Sequence, residues 1–249
     1  MTRSLGLFTA VHLAANAAIL SGAYVWLGIG ETRALTLAES LFVAVLLVLA
    51  VSVTYGATFA FFGLGEREEV LPAWKSAARN LLPLASAAVV IALAYWILTL
   101  WQDYSSQPAF KIASFLTVTF RTPIAPGSVG KVLDGLLWAV RWAALPVVFV
   151  PMLASIATRG WKGFSSAARG AGLWWLWCAT PVLLLGALWA PLAILAWKPH
   201  VGGFAMQMVS FTIRAVIAYL IFGAAWLALA FTASAGTPRL TQPSTVATP

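Results

Sequence analysis

Long apolar runs separated by short polar stretches make up most of the chain as far as residue 232. Six runs can each cross a hydrocarbon core of roughly 30 Å, which requires about 20 helical residues. They lie at residues 5–28, 35–63, 81–101, 133–157, 171–197 and 206–232. The runs are continuous, whereas the strands of a membrane barrel would alternate apolar and polar residues. The pattern predicts an all-α, six-helix transmembrane bundle that forms one domain over residues 1–232.

The two ends of the chain differ from each other in character. The start, MTRSLGLFTAVHLAANAAILSG, combines a short basic stretch with an apolar run, as a signal peptide does. His12 and Asn16 interrupt this run, which continues past residue 20, so we expect an uncleaved first span. Residues 233–249 are rich in Thr, Ser and Pro, and cannot bury enough apolar surface to fold alone. We therefore expect a flexible cytoplasmic tail there.

Composition supports the same class of protein. The 249 residues are 61% hydrophobic and 9% charged, and the mean hydropathy is +0.91. A soluble domain carries roughly 25% charged residues, so this chain could not build a water-facing surface. Its 13 Trp and 14 Phe residues suit a protein with two membrane interfaces.

The net charge of +8 does not indicate a nucleic-acid partner, because the basic residues form no arm or stripe. They flank the predicted spans instead. With the N-terminus inside, the cytoplasmic side would hold Arg3, Arg67, Lys75, Arg79, Arg159, Lys162, Arg169 and Arg239. The opposite side would hold Arg33, Lys111, Arg121, Lys131 and Lys198. This bias predicts a multi-pass protein with both termini in the cytoplasm. The Ala-, Leu- and Arg-rich composition points to a bacterial inner (plasma) membrane.

Two connections between spans share a short pattern, AWKSAARN at 73–80 and GWKGFSSAARG at 160–170. Trp favours the headgroup level, and Lys and Arg keep their charges wet while their stems lie in apolar surroundings. Ala-Ala favours helix. We expect each connection to be a short interfacial elbow helix. The elbow residues are Trp74, Lys75, Arg79, Trp161, Lys162 and Arg169.

A unit of span, elbow and span read twice would make spans 2–3 and 4–5 parallel repeats. Chance in a chain rich in Trp and Ala is the alternative, and the spacing differs by three residues between the copies. The pattern weakly resembles six-helix bacterial membrane families of mostly unknown function. One of them is the membrane domain attached to some glycerophosphodiester phosphodiesterases. The resemblance covers about residues 35–197 and implies only the fold, because the chain has no room for a phosphodiesterase domain.

Four charged residues lie within or at the ends of spans: Glu39, Asp134, Arg141 and Arg214. An ionisable group in a span is costly and is therefore a functional candidate. With the predicted orientation, all four lie in the outer half of the bilayer. They could line an outward-facing cavity in which one arginine binds a phospholipid headgroup or a small carboxylate. Alternatively, Glu39 pairs with one arginine and the other arginine extends to the interface.

His12 and Asn16 are one turn apart on the first span, which places them on the same face. They could relay a proton or bind a ligand, since imidazole titrates near neutral pH. More often such a pair forms interhelical hydrogen bonds. In the second span, Ser52, Gly56 and Ala60 recur every four residues and would let a neighbouring helix approach closely. Chance accounts for that spacing equally well.

The longest connection is residues 102–131. Its middle, FKIASFLTVTF, carries β-branched residues and partial alternation of the strand type. Pro123 and Pro126-Gly127 follow as breakers. The apolar-leaning middle, about eleven residues, is too short to cross the membrane. We expect either a small hairpin or an interfacial segment that covers the bundle from outside.

Sequence motifs for catalysis are missing. The chain contains no phosphate-binding Gly-rich loop, GxSxG or HExxH. Its single cysteine, Cys178, excludes an intrachain disulfide, and two histidines make a structural zinc site unexpected. We therefore expect no cofactor and no metal. The leading hypothesis is a non-enzymatic accessory protein that binds phospholipid or another membrane protein. The alternative is a small transporter or channel for an anionic or amphipathic solute.

Overall fold

The computed structural model describes residues 2–30, 32–64, 69–104, 106–166, 172–199 and 202–235. Within these ranges the chain is helical and contains no strand. The α-helices are α1 (Thr2–Leu27), α2 (Ala34–Gly63), α3 (Val70–Arg79), α4 (Leu81–Tyr104), α5 (Ser106–Phe120), α6 (Pro126–Ala139), α7 (Leu145–Arg159), α8 (Leu176–Ala196) and α9 (Phe204–Ala235). A π-helical turn, Val140–Ala144, joins α6 to α7, and a 3₁₀-helix, Gly160–Ser166, follows α7. The predicted tail lies almost entirely outside the described residues.

Six of the described helical segments are long and apolar enough to cross a membrane. They are Ser4–Leu27, Ala34–Gly63, Leu81–Tyr104, Pro126–Ser166, Leu176–Ala196 and Phe204–Ala235. The predicted all-α, six-helix transmembrane bundle is confirmed, and the protein is a multi-pass membrane protein. Six crossings return the chain to the side from which it started. We call the side that carries α3 the elbow end and the side that carries α5 the hairpin end.

The centre of the bundle is α2, which packs against α1, α3, α4, α7 and α9. The buried core lies mostly toward the elbow end and includes Phe8, Phe61, Ile156 and Leu229. Many large apolar side chains are exposed on the outer faces of the spans. An apolar exterior is what a bilayer requires, because lipid tails replace water around the helices.

The first elbow is an α-helix, as the sequence predicted. Ala73 and Ala77 on one face of α3 are fully buried, and a Cβ at Gly56 would lie only 3.3 Å from Ala77 Cβ. The small residue on α2 therefore permits the close approach predicted for the face of Ser52, Gly56 and Ala60, all of which are buried. Ser76 and the Asn80 amide donate hydrogen bonds of 2.8 and 3.0 Å to the carbonyl of Ala157. These bonds attach the elbow to the last turn of α7.

The second elbow differs from the first. Gly160 ends α7 with a positive φ of 62°, and a Cβ there would lie 2.8 Å from Asn80 Oδ1. The following residues form a 3₁₀-helix rather than an α-helix, so the second elbow is helical as far as residue 166, where the described stretch ends. Arg169 lies outside the described residues. The internal repeat stays a prediction, because the two elbows differ in secondary structure.

The segment with strand-type alternation forms helices, so a β-hairpin over residues 102–131 is wrong. Helices α5 and α6 pack together through Ala109, Ala113 and Val129. Ser114 and Thr119 donate their hydroxyl hydrogens to carbonyls four residues earlier, each at 2.9 Å. These bonds satisfy the polar side chains inside a helix, which the sequence pattern did not reveal. The helical hairpin contacts α4 and little else of the bundle.

Candidate functional sites

A chain of four buried or half-buried polar side chains joins α1 to α2. His12 Nδ1 lies 2.9 Å from Thr58 Oγ1, and His12 Nε2 lies 2.9 Å from Asn16 Nδ2. Tyr55 donates its hydroxyl hydrogen to Asn16 Oδ1 at 2.8 Å. Of these residues, His12 is 1% exposed and Asn16 is 4% exposed. The predicted pair on α1 therefore meets two residues of α2 that the sequence had not singled out.

We call these four side chains the His12 network. Their hydrogen-bond partners determine which atom carries each hydrogen. Thr58 donates its one hydroxyl hydrogen to the carbonyl of Thr54 at 2.8 Å, so Thr58 Oγ1 accepts from His12 Nδ1–H. His12 Nε2 then accepts from the Asn16 amide nitrogen. That nitrogen also donates to the His12 carbonyl at 2.9 Å, and a carbonyl can only accept. Each side chain of the network therefore donates to the next, in the order Tyr55, Asn16, His12 and Thr58. The His12 imidazole is neutral, with its hydrogen on Nδ1.

Aromatic rings surround the His12 network. Phe8 stacks on Phe61 at a centroid distance of 4.1 Å, and Tyr55 meets His12 and Trp226 edge-on at 5.7 and 5.0 Å. The contacts are those of an interhelical hydrogen-bond cluster in a buried core. The last acceptor is the backbone carbonyl of Thr54, which passes no hydrogen further. A proton relay through His12 and Asn16 stays a hypothesis.

Tyr55 and Thr58 were missed in the sequence, although a signal was available. Thr54 and Thr58 are four residues apart, and Tyr55 lies between them in an otherwise apolar run. Polar residues in a span tend to face a neighbouring helix. Their spacing relative to His12 and Asn16 could have suggested the pairing of α1 with α2.

Arg214 on α9 binds the end of α8. Its Nη1 donates to the carbonyls of Leu195 at 3.0 Å and Ile194 at 3.5 Å, and also to the carbonyl of Trp197. Its Nε donates to the Ser210 carbonyl at 3.3 Å. The last carbonyls of a helix lack intrahelical partners and attract a positive charge. Arg214 therefore satisfies the C-terminus of α8 and fixes it to α9.

Arg141 lies in the π-helical turn and faces α4. Its Nη2 donates to Thr99 Oγ1 at 3.1 Å, and its own carbonyl accepts from the hydroxyl of Tyr95 at 2.9 Å. Thr99 donates its hydrogen to the Tyr95 carbonyl at 3.0 Å. The guanidinium group thus makes a single hydrogen bond within the described residues.

Glu39 and Asp134 are both exposed. Within the described part of the chain, neither forms an ion pair, and no hydrogen bond joins any two of Glu39, Asp134, Arg141 and Arg214. Arg141 therefore bonds to α4 and Arg214 bonds to the end of α8, so the two arginines do not share a contact.

The elbow side chains divide by exposure. Lys75, Arg79 and Lys162 are exposed. Trp161 is exposed and stacks on Phe164 with a centroid distance of 5.9 Å. Trp74 is half-buried against the core, and its Nε1 is buried with no hydrogen-bond partner in the described structure. The two predicted Trp residues thus have different surroundings.

An apolar groove of about 630 Å³ lies between α1 and α2. Its walls include Ala15, Ala18 and Ile19 of α1, and residues of α2 from Val43 to Thr54. Trp74 of α3 also lines it. The sequence pattern did not predict this groove, because small and large apolar residues are mixed in every span.

No group of three or more potential metal-ligating residues occurs among the residues that the structure describes. Cys178, on the first turn of α8, is exposed. No family model, curated protein or solved structure matches the chain. The groove, the His12 network and the two arginines are therefore the features from which a function can be inferred.

Proposed function

We propose that this protein is a non-enzymatic membrane protein that binds a bilayer lipid in the groove between α1 and α2. The observation that carries the proposal is the groove itself: about 630 Å³ of apolar space in two spanning helices, lined at the elbow by Trp74. Sites for small amphipathic molecules are typically concave, apolar and supplied with few polar groups. An acyl chain fits such walls.

The elbow supports a lipid rather than a wholly apolar molecule. The Trp74 indole N–H is buried and has no hydrogen-bond partner among the described residues, and an unpaired buried donor is unfavourable. Lys75 and Arg79 are exposed on α3. An ester carbonyl or phosphate of a bound lipid would supply acceptors for Lys75 and Arg79. With the predicted cytoplasmic elbows, the lipid would come from the inner leaflet.

The transporter alternative has less geometric support. It required Glu39, Arg141 and Arg214 at one substrate site, but Arg214 donates to the carbonyls at the end of α8 and Arg141 donates to Thr99 of α4. The lipid-binding hypothesis needs no shared site for these charges.

The test is photocrosslinking with a phosphatidylcholine that carries a diazirine near the end of one acyl chain. The protein is placed in nanodiscs containing this lipid, irradiated, and mapped by peptide mass spectrometry. We expect labels to concentrate on groove residues such as Ala15, Ala18 and Ala50. Equal labelling of all lipid-facing residues of α1 and α2 would show an ordinary annular lipid and overturn the proposal.

A matched pair of variants makes the test specific. Ala18→Phe places a ring in the groove, whereas Ala17→Phe places the same ring on an exposed position of α1 that does not line it. We expect Ala18→Phe to reduce groove labelling and Ala17→Phe to leave it unchanged. Crosslinks to a co-purified protein at the groove, in place of lipid, would instead identify a protein-binding accessory subunit.

A further inference from the structure

The backbone around Arg141 is held in an unusual conformation by its neighbours. The Leu145 N–H donates to the Val140 carbonyl, five residues earlier, which is the π-helical register. The next residue in this register is Pro146, which has no N–H to offer the carbonyl of Arg141. The Tyr95 hydroxyl donates to that carbonyl at 2.9 Å. The proline thus explains why α4 supplies a donor at this position.

Among the described residues, the Arg141 side chain makes one hydrogen bond. Its Nη2 donates to Thr99 Oγ1 at 3.1 Å, and Thr99 is itself held by its bond to the Tyr95 carbonyl. A guanidinium group has five N–H donors in a planar fork. The described protein uses one of the five, and Arg141 is half-buried. The other four N–H donors of the guanidinium group are held in place by this bond but have no acceptor among the described residues.

Arg214, the other arginine in a span, does not have unused donors to the same extent as Arg141. Arg214 donates to four backbone carbonyls and lies 5.9 Å from the ring centroid of Phe211. Both arginines lie in spans, but the protein itself supplies the acceptors of Arg214. Only Arg141 retains most of its capacity to donate.

The position of Arg141 suits a headgroup rather than a deep channel. Its partner Thr99 is five residues from the end of α4 at Tyr104, or about 7–8 Å along the axis. Trp96, Trp101 and Trp138 are exposed on α4 and α6 around this level. Such rings favour the membrane interface. Asp103 and Asp134 are the acidic residues nearest in sequence to this contact, and neither forms an ion pair with Arg141.

We propose that Arg141, positioned by Thr99, forms a binding site for a phosphate-bearing anion at the hairpin end of the bundle, separate from the α1–α2 groove. A guanidinium fork matches two phosphate oxygens, and the apolar surroundings strengthen the charged hydrogen bonds. The phosphate comes either from an anionic lipid headgroup or from a free anion. The site shares no residue with the groove, so an experiment can disprove one of the two proposed sites without affecting the other.

The test is native mass spectrometry of the protein released from nanodiscs of phosphatidylcholine mixed with phosphatidylglycerol. We expect the wild-type protein to retain phosphatidylglycerol in preference to phosphatidylcholine. Arg141→Gln should reduce this retention roughly tenfold, as expected for losing one charge-assisted interaction. In a second arm, inorganic phosphate is added to the protein in phosphatidylcholine alone. Phosphate binding that is lost in Arg141→Gln would support the site and identify a free anion as its source.

Lys131→Gln is the control, because it removes an exposed positive charge from the same end of the bundle. Equal losses in Lys131→Gln and Arg141→Gln would show general charge attraction and overturn the proposal. Wild-type protein that retains neither anion would also overturn it, whatever the variants do. If Arg141→Gln does not fold, Arg141→Lys keeps the charge without the fork and should show a smaller loss. Unchanged retention in that variant would contradict the bidentate site.

Discussion

His12 on α1 donates its Nδ1 hydrogen to Thr58 Oγ1 on α2 across 2.9 Å, because Thr58 donates its only hydrogen to the carbonyl of Thr54. This relationship fixes the tautomer of the imidazole and the direction of every other bond in the His12 network. It also makes Thr58 the single acceptor for a buried donor, which gives the first prediction.

Thr58→Val should destabilise the bundle by about 1–3 kcal/mol, because the His12 Nδ1–H would remain buried without an acceptor. Typical interhelical hydrogen bonds in membrane bundles contribute only about 0.6 kcal/mol. Unfolding in mixed detergent micelles measures the difference. Thr212→Val is the control, because Thr212 is exposed and donates only to Met208 of its own helix at 2.9 Å. Equal effects of the two variants would contradict the assigned hydrogen positions.

Tyr95→Phe should lower the free energy of unfolding by about 1 kcal/mol, because the Arg141 carbonyl would lose its hydrogen-bond donor. The cost should be smaller in a Pro146→Ala background, because residue 146 then has an N–H that can serve this carbonyl. A double-mutant cycle on unfolding free energies measures this coupling, which we expect to be roughly 0.5–1 kcal/mol. Additive effects would mean that the proline does not create the need for the Tyr95 hydroxyl.

Arg214→Gln should lower stability by about 2 kcal/mol, since the carbonyls at the end of α8 lose a charged donor. Arg214→Lys should recover part of this loss, because a cation near a helix C-terminus contributes about 0.3–1 kcal/mol. Thermal unfolding measures the total, and hydrogen exchange of α8 locates it. Lys198→Gln removes an exposed charge nearby and should have little effect. If that variant matched Arg214→Gln, general electrostatics would explain the result instead.

Gly163→Ala should be destabilising, because a Cβ at this position would lie 2.4 Å from the backbone nitrogen of Ile156. Overpacking of this kind typically costs about 1–3 kcal/mol. Gly135→Ala on α6 provides the contrast, since a Cβ there has no neighbour within 4 Å. It should stabilise α6 by up to about 1 kcal/mol through helix propensity. Thermal unfolding of both variants checks the pair, and a neutral Gly163→Ala would refute the packing of the 3₁₀-helix against α7.

The spans were predictable because length and continuous hydrophobicity are sufficient to identify a membrane helix. All six predicted ranges overlap the observed helices, and the first elbow is the helix expected from AWKSAARN. The residues of the His12 network on α1 were also visible in the sequence. Their partners Tyr55 and Thr58 were not found, because partner choice depends on how α1 and α2 pack.

Four features depended on three-dimensional context. The β-branched residues of FLTVTF suggested strands, but the hydroxyls of Ser114 and Thr119 bond back to their own helix, and α6 covers one face. The π-helical turn could not be predicted from Pro146 alone, because proline near a helix start is common. The groove arises from the shapes of two helices together. For the same reason, the different roles of Arg141 and Arg214 appear only once their partners are known.

Helices α6 and α7, with the turn between them, form one continuous run of helical residues from Pro126 to Arg159. At 1.5 Å per residue this element is about 50 Å long. It connects the hairpin mechanically to the contact between Ala157 and the first elbow. Pro151 and the π-helical turn both interrupt the regular hydrogen bonding of this element, and helices bend at such positions. The hairpin and the first elbow are therefore joined by one long element with two intrinsic bending points, one of them beside Arg141.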